Sequence, residues 1–269
     1  MDLQLQNKVA LVTGSSKGIG EGVARGLAKE GATVLVHGRD RMKTEEVAHD
    51  IISSGGRAFA VFGDLTVSDQ VDRLVRDSKA AAGSIDILVN NAGGSAPAED
   101  WTSTNSETWA AVYDRNVLAS VRIVSLVLPA MKASRWGRII NISSLAALMP
   151  PASRPDYSAA KAAMIAMTAS LAKDVAAYGI TANTVSPGTV HSISLDTAFR
   201  KKAIERGMAI DAPWNDIERE ILPMFAQVPL GRVGTLGEIA DAIAFLSSPR
   251  AGYITGANLR LDGGMWPGM

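Results

Sequence analysis

Cysteine is absent from this 269-residue chain, which excludes a disulfide framework and thiolate metal sites. Histidine occurs only at His37, His49 and His191, too scattered for a histidine-rich metal cluster, so no metal is expected. Neither sign of charge is in excess, since 27 Lys+Arg balance 27 Asp+Glu, and no basic run offers a surface for nucleic acid. Apolar runs of membrane-spanning length without interruption are missing, so no membrane partner is expected. The opening MDLQLQNKVA lacks the basic-then-apolar order of a secretory leader. No internal repeat and no linker-like shift in composition divide the chain. The expectation is one cytoplasmic domain spanning 1–269, with 47% hydrophobic residues to build its core.

What is present is alternation. Short β-branched runs, such as KVALVT (8–13), TVLVH (33–37), RAFAVFG, DILVNNAG, GRIINISS (137–144), GITANTVSPG and NLRLDGG, read as strands. Between them lie helical patterns: GIGEGVARGLAKEG, about 41–54, a stretch from SDQVDRLV, about 105–134, 157–178 and 235–247. Continuous apolar strands separated by helices predict an α/β fold, a single doubly wound Rossmann domain. Its seven-stranded sheet is expected to be mainly parallel and covered by helices on both faces. Ligands then belong at the carboxyl ends of the strands.

The first such end is TGSSKGIG (13–20). Its Gly14, Gly18 and Gly20 are spaced G-x-x-x-G-x-G, between a strand and a helix. Glycine lets backbone approach a pyrophosphate, and the helix N-terminus presents unpaired N–H groups to it. The second strand ends in HGRD (37–40). Gly38 stands where an NAD site wants an acid for the ribose, leaving space, while Arg39 offers a fork of donors suited to a phosphate. Asp40 is the competing ribose candidate. Lys17 and Arg39 together predict NADP(H).

YSAAK places Tyr157 and Lys161 at i and i+4, on one helix face. TGSSKGIG, GDL (63–65), NNAG (90–93), Asn116 in DRNV, NISS (141–144), YSAAK and SPG (186–188) follow in order. On these motifs the sequence resembles the classical short-chain dehydrogenase/reductase family from about residue 7 to 264. It is most similar to the 3-oxoacyl-[acyl-carrier-protein] reductase type. The resemblance implies an NADP-dependent oxidoreductase that interconverts a ketone and a secondary alcohol. It implies Tyr157 as general acid or base, Lys161 holding the nicotinamide ribose and lowering the tyrosine's pKa, Ser144 bonding the reacting oxygen, and Asn116 holding a relay water. Only the 13-residue interval to Tyr157 favours Ser144 over Ser143. It places the cofactor against Gly14, Ser16, Lys17, Gly18, Ile19, Gly20, Arg39, Asp64, Leu65, Asn91, Ala92, Gly93, Tyr157, Lys161, Pro187, Gly188, Val190 and Ser192, with Asn90 supporting the pocket. At Ser192 the family commonly has threonine. By magnitude, a tyrosine working near neutrality needs about 4 kcal/mol, which an ammonium about 4 Å away supplies at an effective dielectric of ~20.

The helix at 157–178 is apolar nearly all round, and Ala162, Ala166 and Ala169 suggest close packing on a second face. A subunit interface is expected there, shared with the helix ending near Met131; the family implies a homotetramer. The segment about 189–228 reads as a two-helix lid over the substrate. Trp214, Ile217, Ile221, Met224 and Phe225 either line an apolar pocket or pack the lid onto the body. GGSAPAEDW (93–101) and Leu145 to Met149 are the other candidate walls. These linings suit a small-molecule carbonyl or alcohol, with an acyl thioester among the candidates. Of the two basic positions by which the reductase type docks its carrier, Arg135 matches one and Tyr178 fills the other. A sugar, steroid or xenobiotic alcohol dehydrogenase is the alternative, and a non-catalytic dinucleotide sensor the other class.

Overall fold

The computed structural model describes residues 1–95 and 100–268. Seven strands, β1 (Val9–Val12), β2 (Thr33–Gly38), β3 (Arg57–Phe62), β4 (Ile87–Asn90), β5 (Gly137–Ile142), β6 (Ile180–Pro187) and β7 (Asn258–Leu261), form one sheet. Its order is β3-β2-β1-β4-β5-β6-β7, and every pairing is parallel. β1, β4, β5 and β6 are buried at every position, because helices cover both faces. Side chains still alternate between the faces. Ala10, Val12, Val34 and Val36 join one core cluster, while Val9, Leu11 and Leu35 join another. The strand order reverses between β1 and β4, which opens a crevice at their carboxyl ends.

The first face is covered by α1 (Gly18–Lys29), α2 (Arg41–Ser53) and α9 (Leu236–Ser247), through Val23, Leu27, Val47, Ile239 and Ile243. The second carries α3 (Ser68–Ala82) and α5 (Ala119–Ser134), through Val71, Leu74, Ile123 and Val127. Capping is local chemistry. The Asp40 side chain accepts the Lys43 N–H to start α2, and Thr235 with Glu238 forms a complete capping box on α9. α1 has no side-chain cap, so its first-turn N–H groups point at the crevice without one.

The long helix expected at 105–134 is three pieces. α4 (Ser106–Tyr113) runs into a π-helical turn at Asp114–Leu118 and continues as α5. Taken as one stretch, Ser106–Ser134 is long and apolar enough to cross a membrane, although Asp114, Arg115, Arg122 and Lys132 interrupt it. Here its inner side packs on the sheet, and Arg122 within it bonds Asp114 and the Leu65 carbonyl. α6 (Pro155–Val175) begins two residues earlier than expected, because Pro155 suits the first helical turn rather than breaking it. A 3₁₀ turn at Ala176–Tyr178 ends it.

α7 (Ile193–Glu205) and α8 (Trp214–Phe225) fill the segment expected to be a lid and hold a small core of their own, made by Phe199, Ala203, Ile217, Ile221, Leu222 and Val233.

α1 and α9 approach most closely where Gly22 and Gly26 face Leu236 and Ala240. A Cβ at Gly26 would lie 2.7 Å from that of Ala240. Gly26→Val is expected to destabilise the fold by about 1–3 kcal/mol through overpacking, read as a lower urea midpoint at unchanged slope.

Candidate active site

The glycine loop is built on backbone contacts. Gly14 and Gly18 both adopt left-handed φ, +63° and +60°. A Cβ on Gly14 would meet the Ala92 Cα at 2.9 Å, and one on Gly20 would run into Asn91 and the Gly14 carbonyl. At Gly18 a Cβ would have nothing within 4 Å. Asn91 acts here as a brace: its Nδ2 donates to the Thr13 and Gly14 carbonyls at 2.9 and 3.0 Å. Asn90 points into the protein instead and donates to Asn141 Oδ1, which leads on to Thr168.

A groove of about 520 Å³ runs across the ends of β1 to β4. Of the expected cofactor residues it gathers Gly14, Ser16, Lys17, Arg39, Asp64, Leu65, Asn91, Ala92 and Gly93. Three residues that sequence reasoning gave no role, His37, Asp114 and Arg115, also line it. Gly18, Ile19 and Gly20 open α1 beside the groove rather than lining it. Arg39 is 78% exposed, with a guanidinium nitrogen 3.5 Å from Asp64. The Thr66 N–H and hydroxyl hold Asp64 below the usual carboxylate range. Gly38 does not leave open space, as was expected: a Cβ there would strike Thr44 and Ser16. An acid at 38 is excluded by packing. Asp40 is occupied as the cap of α2, so it is not arranged as a ribose ligand.

The second group lies at the end of β5. The two serines separate by what they touch. Ser143 is buried and donates to the Lys161 carbonyl at 2.7 Å, anchoring α6. Ser144 caps the 3₁₀ turn Leu145–Ala147, accepts the Ala146 N–H, and reaches the Tyr157 hydroxyl, where it favours the phenolate. Burial is the stronger influence and pushes the Tyr157 phenol above its ordinary value. Arg154, one turn earlier, opposes it with its positive charge. Nothing in the motifs marked Arg154; only its place three residues before Tyr157 could have.

Lys161 is fully enclosed, and burial lowers its pKa to about 8. Its Nζ donates to the Ile142 carbonyl at 2.7 Å and lies 5.7 Å from the Tyr157 ring centre. Burial, rather than Lys161, sets the direction of the phenol's shift. Asn116 sits in the π turn, fully buried. It accepts the Gly94 N–H and donates to the carbonyls of Gly94 and Val112. Gly93 fits between these groups: a Cβ would collide with Asn116 Oδ1 and lie 3.5 Å from Lys161 Nζ.

Pro187, Gly188, Val190 and Ser192 lie beyond β5, apart from the groove. Gly188 packs on Asp262, Val190 bridges to Gly234, and Ser192 caps α7. His191, between them, stacks on Trp214 at 3.9 Å. Ile217 and Ile221 are buried in the lid's own core, so they pack the lid, whereas Met224 and Phe225 are exposed. Met149 is exposed at the end of its segment and Leu145 is buried. The wall expected at 93–101 includes 96–99, which lie outside the described residues. Arg135 is held by the Ala177 carbonyl at 2.8 Å, and Lys132 stands over the Tyr178 ring.

A family model described as short chain dehydrogenase matches residues 8–203. The chain is 36% identical over 270 residues to the 3-oxoacyl-[acyl-carrier-protein] reductase of Vibrio cholerae serotype O1, covering 98% of this chain and 99% of that one. The reductase of the same name from Escherichia coli K12 is 34% identical over 270 residues, with the same coverage. Among solved structures, L-sorbose reductase from Gluconobacter frateurii, complexed with NADPH and L-sorbose, superposes with a TM-score of 0.92. It is 31% identical, and 100% of both chains is covered.

Proposed function

Because the chain belongs to the short-chain dehydrogenase family, we propose that it is an NADP-dependent oxidoreductase interconverting a ketone and a secondary alcohol. The observation that carries this reading is the gathering of Ser144, Tyr157 and a buried Lys161 at the end of β5, beside a groove holding Lys17 and Arg39. The groove fits a dinucleotide: left-handed glycines, an uncapped helix N-terminus and space at Gly18 suit a pyrophosphate. Arg39 and Lys17 suit a further phosphate, with no acid at position 38 to oppose it.

When bound, the nicotinamide supplies or accepts the hydride. The protein's part is the proton. Tyr157, kept protonated by burial, donates from its hydroxyl to the carbonyl oxygen during reduction, and takes the proton back in oxidation. Ser144 holds the same oxygen in line. Lys161 binds the nicotinamide ribose and its charge stabilises the phenolate left by proton transfer. Asn116, fixed through Gly94, positions the far end of the relay.

The finer substrate reading follows the relatives. A 3-oxoacyl thioester suits the curated relatives' names, and a ketose suits the sugar reductase. Arg135, tied to Ala177, with Tyr178 at the second carrier position, favours a small free carbonyl over a carrier-bound one. We further propose a homotetramer in the cytoplasm. Leu118 at the end of the π turn, Val121 on α5 and Ala166 on α6 leave apolar side chains exposed on one subunit.

Four measurements test these readings. Tyr157→Phe is expected to lower kcat for ketone reduction at least about 10²-fold while NADPH still binds; in the same assay the wild type should lose reductive kcat/KM as pH rises through about 8, where Lys161 sheds its charge. A surviving rate would overturn the proton role. NADPH should exceed NADH in kcat/KM, and Arg39→Ala or Lys17→Ala should each cost about tenfold with NADPH and little with NADH. A panel of acetoacetyl thioesters, ketoses and cyclic ketones identifies the class. Light scattering should give four times the chain mass, and a monomer would remove the interface.

A further inference from the structure

His37 is the penultimate residue of β2, is 2% exposed, and lines the groove with no role assigned to it above. Its ring is engaged at both nitrogens. The Gly14 N–H donates to Nδ1 at 3.0 Å, and Nε2 lies 2.9 Å from the Gly63 carbonyl. An amide can only donate and a carbonyl can only accept, so both contacts hold in one form alone: neutral, with the proton on Nε2. The backbone of His37 is tied to the same turn, since its N–H donates to Ser15 Oγ and its carbonyl accepts the Ser15 N–H. One side chain therefore joins the ends of β1, β2 and β3.

We propose that His37 is a positioning residue for the dinucleotide: as the neutral Nε2–H tautomer it holds Gly14 where the glycine loop can receive the cofactor, and protonation at Nδ1 releases the loop. The inference rests on the cofactor reading above. Gly14 is the position where control matters, because its left-handed backbone passes within a Cβ's width of Ala92. A doubly protonated ring would turn a donor toward the Gly14 N–H, which costs the hydrogen bond and adds repulsion. Burial disfavours the charged ring most and Arg39 adds to it, while the Gly63 carbonyl and, less, Asp64 oppose them. Lys17 is the remaining charged side chain of the loop along this part of the groove.

The sign follows. The pinned state holds the histidine below its ordinary value of about 6.5. The pin is in full force above that pH and is lost as pH falls through the lowered folded value.

The experiment compares NADPH dissociation constants for wild type, His37→Asn and His37→Gln between pH 7.5 and 5.5. Asparagine can offer an acceptor near the place of Nδ1 but does not titrate; glutamine can keep the donor to Gly63 and lacks that acceptor. The wild type should weaken more than His37→Asn on acidification, by less than about tenfold at pH 5.5 because its value lies below 6.5, and His37→Gln should bind about tenfold more weakly at every pH. The 2′-phosphate titrates in all three alike, so the difference between them is the readout. Nitrogen-15 NMR of the cofactor-free wild type should show Nδ1 bare and Nε2 protonated at pH 7. Parallel pH profiles in wild type and His37→Asn, or the opposite tautomer, would overturn the proposal. If no form binds NADPH, the cofactor reading falls, and His37 as its positioning residue falls with it. NADPH binding with the opposite tautomer sinks the His37 proposal alone.

Discussion

A buried ammonium organises the catalytic end of this protein. Removing a charge from water costs several kcal/mol unless partners replace the lost hydration. Lys161 is given the Ile142 carbonyl and little else among the described residues, only a long contact to the Met164 sulfur. Its carbonyl is in turn held by Ser143 and its flank by Gly93, which must be glycine to leave room for Asn116. The strand end, the π turn and the start of α6 are therefore fitted around one charge. The result is a lysine whose charge is easily lost beside a phenol whose proton is hard to remove.

The cofactor end obeys a different economy. There the problem is to bring three strand ends within reach of a phosphate-rich ligand without filling the space with side chains. The chain solves it with small residues and short polar links: Thr13 receives the N–H groups of Asn91 and Ala92, Asn91 returns two bonds to the loop, and His37 ties in Gly63. These links are rigid because they are backbone-anchored. The cations at the rim, Lys17 and Arg39, remain exposed and free to reorient.

The parallel sheet and its helix layers were legible because burial on both faces leaves continuous apolar runs, and the loop motifs name their own strand ends. That Tyr157 and Lys161 share one helix face followed from i, i+4 spacing, while their proposed roles and that of Ser144 come from the family resemblance. The π turn was not legible, since the phase shift it introduces coincides with a change of packing partner. The role of Gly38 was misread as vacancy because its neighbours, Ser16 and Thr44, are distant in sequence. Ile217 and Ile221 could not be assigned to pocket or packing until the lid's own core was seen. His37 was invisible for the same reason as Gly38: its partners lie 23 and 26 residues away.

The π turn at Asp114–Leu118 carries a geometric consequence. An added residue rotates everything after it by about 100° around the helix axis. Upstream, Val112 packs with Ala160 and Met164 of α6; downstream, Ile123 and Val127 pack on the sheet. The offset lets one continuous rod serve two different neighbours. It also turns Leu118 and Val121 outward. The residue that places Asn116 and the outward apolar face are thus set by a single angular phase, so this helix cannot be re-registered for one purpose without disturbing the other.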